Sequence, residues 1–299
     1  EAYPDVADTW VQVITQWPGH ASEEVERQVS LPVELEMNGV PKMAYLRSTS
    51  IFGLSVVTLI FEDGTDSYFA RQQVVERLQN VNLPDGVKAN LGPLASPIGE
   101  IYRYVVRAPD LPLSEVKAIE DWTIERHLRS VPGVADVISF GGTTKQYRVL
   151  VKPDRLAAHG LTLNDVASAL DRSNKNAGGG FIEVGPQAVN VRGVGLIGNP
   201  QEIQQIAVRT EANGTPVLIR DLADVEIGHA PRLGIVGLDQ ENDVVQAIVL
   251  MRKGESAQDI LERVKGKVAE LNGGILPQNV KIESYYDRSK LIGTTTHTV

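Results

Sequence analysis

The feature that most limits what this chain can fold into is an order of elements that occurs twice: strand, helix, strand, strand, helix, strand. In the first occurrence, Thr9 to Trp17 carries Trp10, Val11, Val13 and Ile14 and runs into Pro18-Gly19, which reads as a strand and a turn. Ser22 is the expected cap of a helix. Glu23 and Glu24 fill its first turn, where the helix dipole favours carboxylates, and Val25, Val29, Val33 and Met37 repeat every four residues as a buried stripe. Pro32 is expected to kink it. Met43 to Ser50 and Leu54 to Phe61 read as strands on either side of Phe52-Gly53. Thr65 is the expected cap of a second helix with Ala70, Val74, Leu78 and Val81 on one face, and Val87 to Leu91 closes the unit.

The second occurrence is split. Ile101 to Val106 reads as a strand, Ser114 as the cap of a helix bearing Val116, Ile119 and Trp122, and Val134 to Phe140 as the next strand. The pattern resumes at Val244 to Met251. Ser256-x-x-Asp259 then opens a helix with Ile260, Leu261, Val264, Val268 and Leu271 inward, and Val280 to Tyr285 ends the unit. Local text repeats in register: Val40-Pro41 leading to Phe52-Gly53 matches Val131-Pro132 leading to Phe140-Gly141, and Leu83-Pro84-x-x-Val87 matches Leu276-Pro277-x-x-Val280. Between the halves lies an α/β insertion of about 85 residues. It has a strand at Tyr147 to Val151, a capping box at Thr162-x-x-Asp165, three glycines from Gly178, a hairpin turn at Gly185-Pro186, and a helix after Asn199-Pro200. The expected fold class is α+β: two ferredoxin-like βαββαβ subdomains, 1–94 and 95–145 with 232–287, the second interrupted by an α/β subdomain, 146–231, and followed by a tail, 288–299.

Composition narrows the function. A net charge of −9 with no Lys/Arg run argues against nucleic acid or anionic lipid as partners, because such binding needs clustered positive charge. Cysteine is absent, which removes disulfides, thiolate metal sites and cysteine nucleophiles. No stretch reaches the roughly 18–20 apolar residues of a membrane span, so the expectation is a soluble chain or the soluble part of something larger.

Gly193-x-Gly195-x-x-Gly198 has dinucleotide-fingerprint spacing. The preceding residues, Ala188 to Arg192, alternate apolar with polar, unlike a buried parallel strand, and the following helix is short, so a glycine-rich hairpin end is the favoured reading. No Lys-Ser/Thr follows the triple glycine, as a phosphate loop requires. His20, His127, His159, His229 and His297 lack metal-ligand spacing, no Gly-x-Ser-x-Gly elbow occurs, and Met37, Met43 and Met251 sit at core positions of a helix and strands. No enzyme and no cofactor are expected. Two carboxylates stand out: Glu100 opens a strand just after Pro97-Ile98-Gly99, and Asp136 begins another in the same module. On the expectation that their strands flank one another, both face one site suited to a hard or borderline divalent cation; the alternative is a pair of exposed strand-end carboxylates.

The run from Arg47 through Phe52-Gly53-Leu54 to Phe61-Glu62-Asp63-Gly64-Thr65-Asp66, followed by Tyr68-Phe69-Ala70-Arg71, resembles the heavy-metal efflux branch of the resistance-nodulation-division transporters. Glu1 to Val6, Gly92-Pro93, Gly99-Glu100-Ile101-Tyr102, Val134-Ala135-Asp136-Val137, Phe140-Gly141-Gly142 and Tyr286-Asp287-Arg288-Ser289 extend the likeness over the whole chain. The resemblance implies the N-terminal periplasmic loop of a bacterial inner-membrane pump, with two porter subdomains and a docking subdomain set into the second. It implies a homotrimer working with a periplasmic adaptor (membrane fusion) protein and an outer-membrane channel, exporting metal ions against protons. Proton-relay carboxylates in membrane helices and methionine ligands of the other loop fall outside this chain. The Gly-Glu-Ile-Tyr and Ala-Asp-Val stretches are more similar to divalent-cation exporters, which makes Glu100 and Asp136 the expected contributors to a zinc, cobalt, nickel or cadmium path. Two rival readings are a multidrug exporter, disfavoured by only five Phe and three Trp, and a stand-alone periplasmic binding or scaffold module.

Overall fold

Alternation of buried and open positions builds the first sheet. β1 (Trp10–Gln16), β2 (Met43–Ile51), β3 (Leu54–Phe61) and β4 (Ala89–Leu91) pair antiparallel in the order β2-β3-β1-β4. Along β1 and β3 every second residue is buried, Val11 and Val13 on one strand and Val57, Leu59 and Phe61 on the other, because side chains on a pleated strand point alternately to its two faces. Val33, Met37, Ala70 and Val74 from two helices cover that face and complete one apolar core. A computed structural model supplies this description for residues 5–175, 177–184, 187–193, 195–211, 214–232 and 234–298, with backbone alone at 97, 177–184, 187–193, 290 and 295–298. Glu1 to Pro4 and the expected turn at Gly185-Pro186 lie outside the described residues.

The helices depart from expectation at their starts and centres. Ser22 is the first helical residue and Ala21 the N-cap, with the Glu24 carboxylate accepting the Ala21 N–H at 3.1 Å. Asp66, not Thr65, caps Ser67–Leu78 by accepting the Phe69 N–H at 2.8 Å; the Thr65 hydroxyl donates instead to Glu62 O at 2.6 Å. The expected kink at Pro32 takes the form of a π-helical turn, Glu26–Ser30, with Pro32 in the first turn of the helix that follows. The widened turn lies just upstream, where proline's missing N–H leaves the ordinary ladder incomplete.

The second sheet repeats the plan. β5 (Glu100–Arg107) and β6 (Val134–Phe140) flank a helical run over 113–129 that also contains a π turn, Glu120–Ile124. That turn advances the helix phase, so Glu120 and Ile124 are fully buried while Trp122, expected inward, is 78% exposed. The chain then forms β7 (Lys145–Val151), the helix Leu163–Ser173, β8 (Ala177–Val184), β9 (Gln187–Gly193), β10 (Ala207–Thr210), β11 (Pro216–Leu218) and β12 (Ala223–His229). It returns as β13 (Val245–Met251), the helix Ala257–Glu270 and β14 (Lys281–Asp287). The sheet order is β14-β5-β13-β6. Counting each module's strands one to four, both sheets read 4-1-3-2, so the fold is α+β with two ferredoxin-like sheets.

By compactness the chain divides into two units: Glu1–Leu111 with Ile119–Gly141 and Ile235–Val299, and Pro112–Ala118 with Gly142–Gly234. Among its described residues the smaller one contains three two-stranded antiparallel pairs, β7 with β12, β8 with β9, and β10 with β11. Its core joins Val166 and Ala169 of Leu163–Ser173 to Ile203, Val217, Ile219 and Leu222. Thr162 and Asp165 form the expected capping box. Residues 112–118, the first turns of the run over 113–129, group with this unit, and Lys145 Nζ lies 3.0 Å from Glu115 Oε1.

The exit of β14 is tied down within three residues. Asp287 Oδ1 accepts the Ser289 N–H at 2.8 Å and so caps the helix Ser289–Thr298; its Oδ2 lies 2.5 Å from Lys265 Nζ, which also donates to Ser289 Oγ at 2.8 Å. Burial pushes the Asp287 carboxyl up, but the Lys265 and Ser289 hydrogen bonds outweigh it and hold the group below the usual carboxylate range. The folded pKa is thus depressed, so its stabilisation is complete above about pH 4 and is lost as pH falls through the folded value. Thermal melting of wild type and Asp287→Asn is expected to differ most near neutrality and to converge in acid. At Gly141, with φ +75°, an added Cβ would stand 2.1 Å from Val244 O. Gly141→Ala is expected to lose about 2–3 kcal/mol in urea unfolding, since both the left-handed backbone and the close approach exclude a side chain.

Candidate functional site

The two carboxylates singled out in the sequence sit at one end of the second sheet, in one row. Glu100 on β5 and Asp136 on β6 are both register partners of Leu250, which lies between them on β13. The expected adjacency of their strands is therefore corrected: β13 separates them. Two strand spacings put the backbones about 10 Å apart, too far for one ion to be gripped by both without further ligands.

Each carboxylate faces an arginine, Arg129 being shared with Glu125 Oε1 at 3.0 Å. Arg103 donates through a terminal guanidinium nitrogen to Glu100 Oε2, and Arg129 Nε lies 3.1 Å from Asp136 Oδ1, which also accepts the Val137 N–H at 2.9 Å. Glu100 holds the Arg103 guanidinium above its ordinary pKa through that hydrogen bond, partly offset by burial. The Arg103 and Glu100 side chains are 41% and 37% exposed. Ion pairs this open contribute on the order of 0–1 kcal/mol to stability.

The remaining sequence candidates are occupied elsewhere. Met37 and Met251 are buried in apolar cores and Met43 packs against the first one. His20 stacks on Trp17 at 3.5 Å and faces Glu24, His127 Nδ1 donates to Thr123 O at 2.7 Å, and His159 Nδ1 is 3.4 Å from Glu211. The side chain of His297 lies outside the described residues. Among the described residues no three His, Cys, Asp or Glu side chains group as a metal cluster. The glycine fingerprint is a hairpin end: Gly193 closes β9, antiparallel to β8. Gly195 approaches the backbone closely, where a Cβ would meet Lys175 O at 2.3 Å, and Glu202 Oε2 takes the Gly198 N–H at 2.7 Å. A carboxylate thus occupies the donor that a pyrophosphate would need.

Sequence reasoning passed over a fully buried acid. Glu120, in the π turn, accepts a 2.8 Å hydrogen bond from the Tyr104 hydroxyl, and burial with the neighbouring Glu120 raises the Tyr104 pKa well above its ordinary value. A helical period read without the π turn gives no signal for it. Tyr104→Phe is expected to cost about 1.5–3 kcal/mol by chemical denaturation, because it deletes one donor to a carboxyl that water cannot reach.

Two ferredoxin-like sheets of one permutation, the second opened by an inserted α/β unit, define a class of large, modular α+β chain. A sequence model of the AcrB/AcrD/AcrF family matches residues 1–299. The chain belongs to that family. It is 40% identical over 308 residues to protein HelA of Legionella pneumophila, covering 100% of this chain and 29% of that protein. It is 41% identical over 296 residues to the cation efflux system protein CusA of Escherichia coli K12, covering 98% and 28%. It is 40% identical over 310 residues to the cobalt-zinc-cadmium resistance protein CzcA of Cupriavidus metallidurans, covering 100% and 29%. A crystal structure of a heavy metal efflux pump superposes with a TM-score of 0.93 at 43% identity, covering 100% of this chain and 30% of that one. The chain therefore spans about 30% of the length of the relatives it matches.

Proposed function

We propose that this chain is the periplasmic N-terminal part of a proton-driven heavy-metal cation pump of the inner membrane, its two ferredoxin-like modules serving as porter subdomains and the inserted unit as a docking subdomain. The observation that carries the reading is agreement of sequence and fold over essentially the whole chain with CusA and CzcA, named for cation efflux and metal resistance, at 40–41% identity, and with a heavy metal efflux pump structure at a TM-score of 0.93. No helix among the described residues is long and apolar enough to cross a membrane. The membrane part, the second periplasmic loop, the homotrimer, the adaptor and the outer-membrane channel belong to this proposal.

In this reading the cargo is a divalent cation, zinc, cobalt, nickel or cadmium, passed through weak oxygen sites. Glu100 and Asp136 act as separate carboxylates along the path, completed by ligands from outside the chain, since their strands are two spacings apart. Weak, successive sites suit transport, because a cargo bound too tightly is not released. The porter subdomains would move as rigid units and expose the path alternately to each side, with metal favouring one state by differential affinity. In the intact pump, Glu100→Gln with Asp136→Asn is expected to lower cellular resistance to zinc or cobalt at least several-fold at equal expression. Unchanged resistance would remove both residues from the path.

A further inference from the structure

Around Arg103 the second sheet departs twice from regular pairing. In a regular strand, residues three apart point to opposite faces, so Glu100 and Arg103 should not meet. The register explains why they do. Tyr102 pairs with Val249 and Glu100 with Leu250, which leaves Ile101 unmatched. This bulge turns Glu100 back to the face that Arg103 occupies. A second bulge stands on the other side of the arginine: Ser284 pairs with Tyr104 and Tyr286 with Arg103, leaving Tyr285 unmatched. The ring of Tyr286 then lies 5.6 Å from the Arg103 guanidinium carbon, and the Tyr285 hydroxyl donates to Gln246 Oε1 at 2.8 Å. Arg103 Nε is buried with no hydrogen-bond partner among the described residues, so the guanidinium is aimed but not fully satisfied.

We infer that Arg103 is the resident counter-cation of Glu100, covering its carboxylate when no metal is present and giving way when a divalent cation arrives, and that it thereby sets a low affinity for the cargo. This rests on the reading of the chain as part of a cation path. A guanidinium that donates to a carboxylate neutralises it and takes up an oxygen lone pair, both of which an incoming cation must recover. The aromatic shelf gives the displaced guanidinium a place to rest, because an arginine over a tyrosine face retains part of its stabilisation after losing its anion. Bulges that re-aim one side chain are characteristic of working sites, and here two of them bracket a single residue.

Zinc titrated calorimetrically into the chain tests the inference, with circular dichroism reporting the fold of each variant. Wild type is expected to bind more weakly than about 1 µM, as a lone carboxylate does. Arg103→Gln should bind at least tenfold more tightly, Arg103→Lys should stay within about threefold of wild type because it keeps the charge, and Arg103→Gln with Glu100→Gln should lose the gain. If Arg103→Gln does not fold, Arg103→Met, which keeps a stem over Tyr286, replaces it with the same expectation. Affinity unchanged on removing the arginine, or a gain that survives loss of Glu100, overturns the inference. The pump reading stands or falls separately on cellular resistance: a tenfold gain in the chain beside unaffected resistance would leave Arg103 guarding a cation site outside the transport path.

Discussion

The rest of the molecule depends on β13 finding its place between β5 and β6. β6 ends at Phe140 and β13 begins at Val245, so the central strand of the second sheet arrives after a whole inserted unit, and closing so long a loop carries an entropic cost. The insertion offsets that cost by its own pairing. Its first and last strands, β7 and β12, run antiparallel with Lys145 opposite His229, and the Ala230 N–H donates to Thr144 O at 2.8 Å. The two ends of the insertion therefore leave side by side, and the second sheet sees something closer to a short connection than to a long one. Once β13 is in, its alternate residues Val245, Ala247 and Val249 are buried, and the same strand becomes the spacer between Glu100 and Asp136.

Both modules put a polar residue into an apolar layer at the same structural point. The first helix of each contains a π turn, and each turn carries a fully buried polar side chain: Ser30, hydrogen-bonded to Ser50 at 2.6 Å and Ser55 at 2.7 Å, and Glu120, bonded to Tyr104. Buried polar groups need partners, and here strands supply them: β2 and β3 in the first module, β5 in the second. The repetition of the device, with different chemistry in each copy, parallels the duplicated text of the sequence.

Around Glu100 and Asp136 the same principle operates on the open side of a sheet. Leu250 keeps the two acids apart, each acid is answered by an arginine, and bulges at Ile101 and Tyr285 decide which side chains can meet. Half-exposed ion pairs of this kind are worth little, so neither acid is locked to its arginine.

The sequence by itself determined the two βαββαβ runs, the buried stripes, the capping box at Thr162 and the family likeness, because periodicity, caps and turn residues are local and each is enforced by nearby backbone chemistry. It also marked Glu100 and Asp136 as unusual. Their separation by Leu250, the turning of Glu100 toward Arg103, the exposure of Trp122 and the burial of Glu120 were decided only by the tertiary structure. Each follows from one unmatched residue, a bulge in a strand or a π turn in a helix, or from a strand inserted from far along the chain. Those choices are made when elements pack, and a one-residue change of phase reverses which way a side chain faces without altering the pattern from which the element was read.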